Sequence, residues 1–216
     1  QETVYPAKAQ TETITITNAT IHVGNGTVIT NGFVTFENGK IKAVGQSNPP
    51  AGGKVIDAKG KHVYPGLILS VSQLGLVEIN SVRATVDHTE LGLYNPNIRS
   101  IVAYNSDSKV IGTLRSNGVL FANVVPQGAT ISGSSTVVQL DAWNWEDATY
   151  KADGQIHMNM PSLLPRPSRF AAFLGQAESR STADQVKEAL NRVEEIKQFF
   201  HQAKAYHKEA THAKTN

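Results

Sequence analysis

The chain has no cysteine among its 216 residues, which excludes disulfides, thiolate nucleophiles and cysteine-ligated zinc together. That absence leaves the redox compartment open. Tryptophan and methionine occur only twice each, and no apolar run approaches the ~20 residues of a membrane-spanning helix. No transmembrane segment is expected. A surplus of one charge is lacking too: 20 Lys and Arg oppose 18 Asp and Glu, and the clustered Lys and His lie after Glu195. No broad basic face follows, and nucleic acid is not an expected partner. Seven histidines are present without a His-x-His or His-Glu-x-x-His pattern, and there is no G-x-S-x-G nucleophile elbow.

What is present is an ordinary globular composition, 40% hydrophobic and 18% charged, long enough for a sizeable core. The chain opens Gln1-Glu2-Thr3-Val4-Tyr5-Pro6 without an initiator Met. An exported or periplasmic protein is the expectation, as after signal-peptide removal, with the cytoplasm as the alternative. Residues 1–12 read as a polar leader lying along the body. From Thr13 the alternation Thr-Ile-Thr-Ile-Thr predicts a strand with Ile14, Ile16, Ile21 and Val23 inward. Asn25-Gly26 and Asn31-Gly32 are turn dipeptides, and Asn38-Gly39 between two apolar stretches predicts a type I′ hairpin. Short strands at Val55-Ile56-Asp57 and His62-Val63-Tyr64 complete a small all-β unit.

After Pro65-Gly66 the pattern changes. Leu67 to Val71 and Val119 to Val125 read as strands buried on both faces, with a helix at Val110, Ile111 and Leu114 before Asn117-Gly118 and a further helix start near Ile98. Thr136–Leu140 and Gln155–Met160 read as further strands, ahead of the breakers Pro161, Pro165 and Pro167. A long amphipathic helix is predicted from about Ala183 to His207, capped by Thr182 with Gln185, its stripe formed by Val186, Leu190, Val193, Ile196, Phe200 and Ala203.

Residues 14–153 resemble the amidohydrolase superfamily, in particular its imidazolonepropionase-like branch. The likeness rests on an ordered set of pieces: Thr17-Asn18-Ala19-Thr20-Ile21 with Gly24-Asn25-Gly26, Asn38-Gly39-Lys40-Ile41 with Ala43-Val44-Gly45, Val55 to Lys61, and Tyr64-Pro65-Gly66-Leu67-Ile68. The resemblance implies an α/β fold, with a small β-sandwich lobe at 13–65 followed by an incomplete (β/α)8 TIM-like barrel at 66–216 that ends in the long helix. It also implies hydrolysis of amide or cyclic amide C–N bonds by metal-bound hydroxide. In that family Pro-Gly leads to an aspartate and two alternate histidines, whose places are taken here by Leu69, Val71 and Gln73. The first-strand metal motif is missing, so this segment carries no metal of its own, and a divalent ion such as zinc needs ligands from outside it. A complete barrel takes ~250 residues, and about 150 follow Gly66. The expected partner is therefore a second chain or a missing C-terminal half that completes the barrel around a small-molecule substrate or ligand.

Three groups are candidate contacts for that substrate. Gln73 and His88 follow the first barrel strand, with Asp87 and Glu90 beside the imidazole for acid–base work. A solvated loop histidine is the commoner use of such a residue. Ser132, Ser134 and Ser135 flank Gly133 in a segment able to cradle an anion or to serve as a flexible turn. Trp143, Trp145 and Glu146 form an aromatic and acidic cluster suited to a pocket wall or to a buried corner. The function expected is that of an amidohydrolase-like hydrolase present as part of a larger assembly. The alternative is a catalytically degenerate barrel subunit that binds a ligand or supports a catalytic partner.

Overall fold

A computed structural model describes residues 6–163 and 181–213. The alternating Thr and Ile form β1, Ile14–His22, the spine of a five-stranded sheet. β2 (Val28–Glu37) lies antiparallel on one edge of β1, with β3 (Lys40–Gly45) outside it. Two short strands share the other edge, both parallel to β1: β4 (Lys54–Asp57) along its first half and β5 (His62–Val63) along its second. At the β2–β3 turn Asn38 and Gly39 have φ of 52° and 70°, and Glu37 pairs with Lys40. This is the two-residue hairpin the dipeptide predicts. Asn31-Gly32 is no turn but lies within β2, where a Cβ on Gly32 would sit 2.8 Å from Ile29 Cγ2 and 2.9 Å from Gly45 O. Close approach of neighbouring groups, and not chain reversal, calls for the glycine.

The alternation of β1 breaks at Asn18, whose φ is 52° and beside which the register with β2 slips. Past this bulge the inward side changes parity, so Ala19 and Ile21 join Val34 in a small core flanked by Ile16, Phe36 and Val63. Val23, expected inward, is exposed. Residues 13–65 form a single sheet among the described residues, with β4 and β5 both docked on the edge of β1. The leader does lie along the body: Ala7 N donates to Asp141 Oδ2 at 3.0 Å, and the Gln10 amide bonds to Phe36 O and Gly39 N. Its first five residues lie outside the described ones.

A second sheet has the order β6-β7-β8-β9. β6 (Leu67–Ser72) and β7 (Val119–Val124) are parallel, joined through short 3-10 turns at Arg83–Thr85 and Ser100–Ala103 and the helix α1 (Lys109–Ser116). β8 (Ile131–Gln139) and β9 (Thr149–Met158) then add antiparallel, with α2 (Trp145–Ala148) between them. The barrel-like βαβ pattern thus covers one unit and stops at β8. Six residues separate β7 from β8, and a parallel crossover needs a dozen or more. Under this sheet Leu74, Leu76, Ile101, Tyr104, Ile111, Val124, Val138 and Leu140 form the main core.

The final helix, α3, runs Thr182–Ala213. Its cap sits one residue earlier than expected: Ser181 Oγ accepts from Asp184 N at 3.1 Å and donates to Asp184 Oδ2 at 2.8 Å. Ala189 and Ile196 are buried and Phe199 stacks on Tyr94 with centroids 4.9 Å apart, whereas Leu190, Phe200 and Ala203 are exposed. The covered stripe is rotated away from the predicted one because an aromatic partner, Tyr94, meets Phe199 and not Phe200. Pro165 and Pro167 lie outside the described residues.

Candidate functional site

β6 and β7 end side by side, with Val125 N donating to Ser72 O at 2.8 Å. Beyond these carboxyl ends the chain from β6 folds back: Val77 bridges Val86, Asp87 N bonds to Leu76 O, and Gln127 N donates to His88 O. The segment then runs beside the start of β8 through bridges of Tyr94 to Ile131 and Arg99 to Ser134. Between these passages lies a pocket of about 260 Å³. Asp87, His88, Glu90, Arg99 and Ser100 give it polar walls, and Leu76, Ile98, Val102 and Pro126 apolar ones. The carboxyl ends of parallel strands are where α/β sheets generally hold ligands, because the connecting loops open there.

Arg99 is tied down from behind. Its Nε lies 3.0 and 2.9 Å from the two Asp153 carboxylate oxygens, and its Nη2 lies 2.8 Å from Oδ2. Ser134 Oγ donates to the same carboxylate at 2.8 Å, and Ser134 N donates to Ile98 O at 2.7 Å. Hydrogen bonds from Arg99 and then Ser134 hold Asp153 below the usual carboxylate range, and Asp153 in turn raises Arg99 above its ordinary value. Asp153 reaches this position from a bulge: the register slips between Ser135 and Val137, and Asp153 itself has φ 48°. With Arg99 matched, the carboxylates of Asp87 and Glu90 set the charge of the pocket. Such a wall favours ligands carrying N–H donors or positive charge. The buried Nδ1 of His88 has no hydrogen-bond partner among the described residues.

The sequence candidates separate. His88 is in the pocket wall, and Ser134 supports that wall from behind. Ser132, Ser134 and Ser135 are not on a flexible turn but are buried in β8, where Ser132 Oγ bonds to Ala129 O and Asn159 Nδ2. Ser135 Oγ is buried without a partner among the described residues. Gln73 is half-buried just past β6, its carbonyl closing a turn with Leu76 N. Trp143, Trp145 and Glu146 stand at the other end of β8, exposed around α2, where Asn144 Oδ1 caps Asp147 N. Nine residues of strand put roughly 25 Å between the two ends, so these residues do not join the pocket. Asp153 escaped sequence reasoning altogether. The Asp153-Gly154 dipeptide is the one local signal that could have marked the bulge.

No family model matches the chain, and no curated protein does. Among solved structures, an amidohydrolase from Thermotoga maritima MSB8 aligns with a TM-score of 0.64 at 21% identity, over 89% of this chain and 50% of that one. This likeness shows a shared fold, and the chain spans half the length of that structure. A second solved amidohydrolase aligns at 28% identity over 31% of this chain and 16% of its own, with a TM-score of 0.28. The metal that an amidohydrolase fold implies does not fit the residues present. Leu69 packs on the main core, Val71 is 66% exposed, and the register slip between Leu69 and Ser72 breaks the alternation that would bring the three first-strand positions to one side. Among the described residues no three His, Asp or Glu side chains are grouped so that they could hold a metal ion.

Proposed function

We propose that this chain is the β-lobe and first barrel strands of an amidohydrolase-type protein of the imidazolonepropionase-like branch, contributing a ligand-binding wall to an enzyme that hydrolyses amide or cyclic amide C–N bonds. The observation that carries this reading is the pocket holding His88, Asp87 and Glu90 at the carboxyl ends of β6 and β7, in a fold shared with a solved amidohydrolase. In it, Asp87 and Glu90 receive N–H groups of the substrate, and the His88 imidazole exchanges a hydrogen bond with it. Ion-pairing to Asp153 keeps Arg99 extended along the pocket wall.

Completion comes from a second chain or a further C-terminal half that closes the barrel. Supporting this, the outer strands of the second sheet carry Leu67 (59% exposed), Ile68 (65%), Tyr150 (69%) and Ile156 (64%), more apolar surface than a finished sheet leaves open. The alternative, a catalytically degenerate subunit, is favoured by Leu69, Val71 and Gln73 standing where metal ligands are needed. One measurement separates the two. The natural assembly, purified intact, is assayed against N-acyl and cyclic-imide substrates and its metal content is read by elemental analysis. Turnover with bound metal, reduced at least tenfold by His88→Ala, supports the enzyme. A metal-free assembly that still binds substrate analogues supports the degenerate subunit, and failure to bind any such compound sinks both.

A further inference from the structure

Far from the pocket, two histidines that the sequence separates by 40 positions meet on the first sheet. β5 pairs with β1 in the register Thr20 to His62 and Ile21 to Val63, so His22 and Tyr64 come level one residue later. His22 Nε2 lies 2.9 Å from His62 Nδ1, and the Tyr64 ring stacks on His22 at 4.2 Å between centroids and 10° between planes. The turn after His22 is pressed against the strand exit: a Cβ on Gly24 would stand 3.2 Å from Pro65 Cγ. Both imidazoles are thus carried by paired backbone, and both reach solvent, His62 exposed and His22 half-buried.

We propose that His22 and His62 form a two-imidazole site for a divalent transition-metal ion of tetragonal preference, copper(II) or nickel(II). Metal–imidazole bonds are about 2.0–2.1 Å. Two such nitrogens are about 2.9 Å apart when they subtend a right angle at the ion, and about 3.3–3.4 Å apart in a tetrahedral site. The spacing found, 2.9 Å, is that of the hydrogen bond between the rings, and it leaves both nitrogens within about half an ångström of either bite. Turning the rings about their side-chain bonds directs both lone pairs to one ion. In the metal-free pair one N–H lies between the rings. On binding, that proton moves through water to the other nitrogen of its own ring, both rings stay neutral, and no proton is released overall. Water fills the remaining positions, and Tyr64 shields one face of the His22 ring. Oxygen-seeking ions such as magnesium and calcium gain nothing from two imidazoles, and the general order of affinity places copper(II) first.

The test uses the untagged chain after chelator treatment, titrated calorimetrically with copper(II), nickel(II), zinc(II) and magnesium chlorides, with the electron paramagnetic resonance of the copper form recorded. Expected are one copper equivalent with two-nitrogen hyperfine splitting, weaker nickel, and no magnesium binding. His22→Gln and His62→Gln should each weaken that copper equivalent at least tenfold, while Tyr64→Phe retains it. Circular dichroism melts show whether each variant is folded, and exposed positions such as these should leave the melts unchanged. Copper affinity within twofold of the parent in both folded histidine variants, or a one-nitrogen spectrum in the parent, overturns the proposal.

Discussion

Gly75 lies flat against the ring of Tyr104: a Cβ at position 75 would stand 2.6 Å from both Cδ2 and Cε2. The tyrosine is 7% exposed, and burial pushes its phenol up to about 12. A folded-state value raised above the unfolded one, ordinarily about 10, means that the stabilisation is complete below pH ~10 and is lost as pH climbs through ~12. Absorbance at 295 nm should show a late ionisation that accompanies unfolding and is missing from Tyr104→Phe. A difference between the parent and Tyr104→Phe titrations that appears near pH ~10 while the protein is folded would contradict this.

Asp153→Asn should lower stability at neutral pH, read as the midpoint of urea unfolding. Its carboxylate is held below the ordinary range by Arg99 and Ser134, so its contribution is present above the unfolded pKa and disappears as pH falls through the lower folded value. Parent and variant midpoints should therefore converge in strong acid. A gap independent of pH would assign the loss to the bulge and not to the charge.

Ile101 is 1% exposed and lies in the main core, within the 3-10 turn Ser100–Ala103 whose other residues wall the pocket. Ile101→Ala should cost about 2–5 kcal/mol through lost transfer energy and the cavity left behind. Chemical denaturation with an unchanged m-value checks the figure, and a loss below about 1 kcal/mol would show that the site collapses to fill the gap.

Ser181→Ala removes the acceptor for Asp184 N. The expected cost is about 0.5–2 kcal/mol, confined to the start of α3. Amide exchange should quicken at residues 182–185 and stay the same near Ile196. Uniform quickening along the helix would instead make the cap a control point for the whole element.

How far the sequence could be read depended on the reach of the forces involved. Asn38-Gly39 was legible because a two-residue turn is decided by local φ angles, and the helix at Val110, Ile111 and Leu114 because its periodicity is local. Gly32 misled because its reason is a contact with Ile29 and Gly45, and no nearby residue announces that. The direction of β8 was not legible, because placing the strand from Thr136 hid the six-residue link that only its true start at Ile131 creates. His88 was singled out by its acidic neighbours. The Arg99–Asp153 pair was missed because it spans 54 positions and depends on a bulge, as the His22–His62 contact depends on a register that only the folded sheet sets.

The reversal at β8 leaves the second sheet with an odd strand inside and like strands outside. β9 is antiparallel to β8, which is antiparallel to β7, so β6, β7 and β9 all point one way. Both margins of the sheet consequently have the same polarity. A set of further strands running in that direction could join at β9 and return to β6 with no conflict of direction at either seam, and the single inverted strand would sit in the wall of a closed cylinder without preventing its closure.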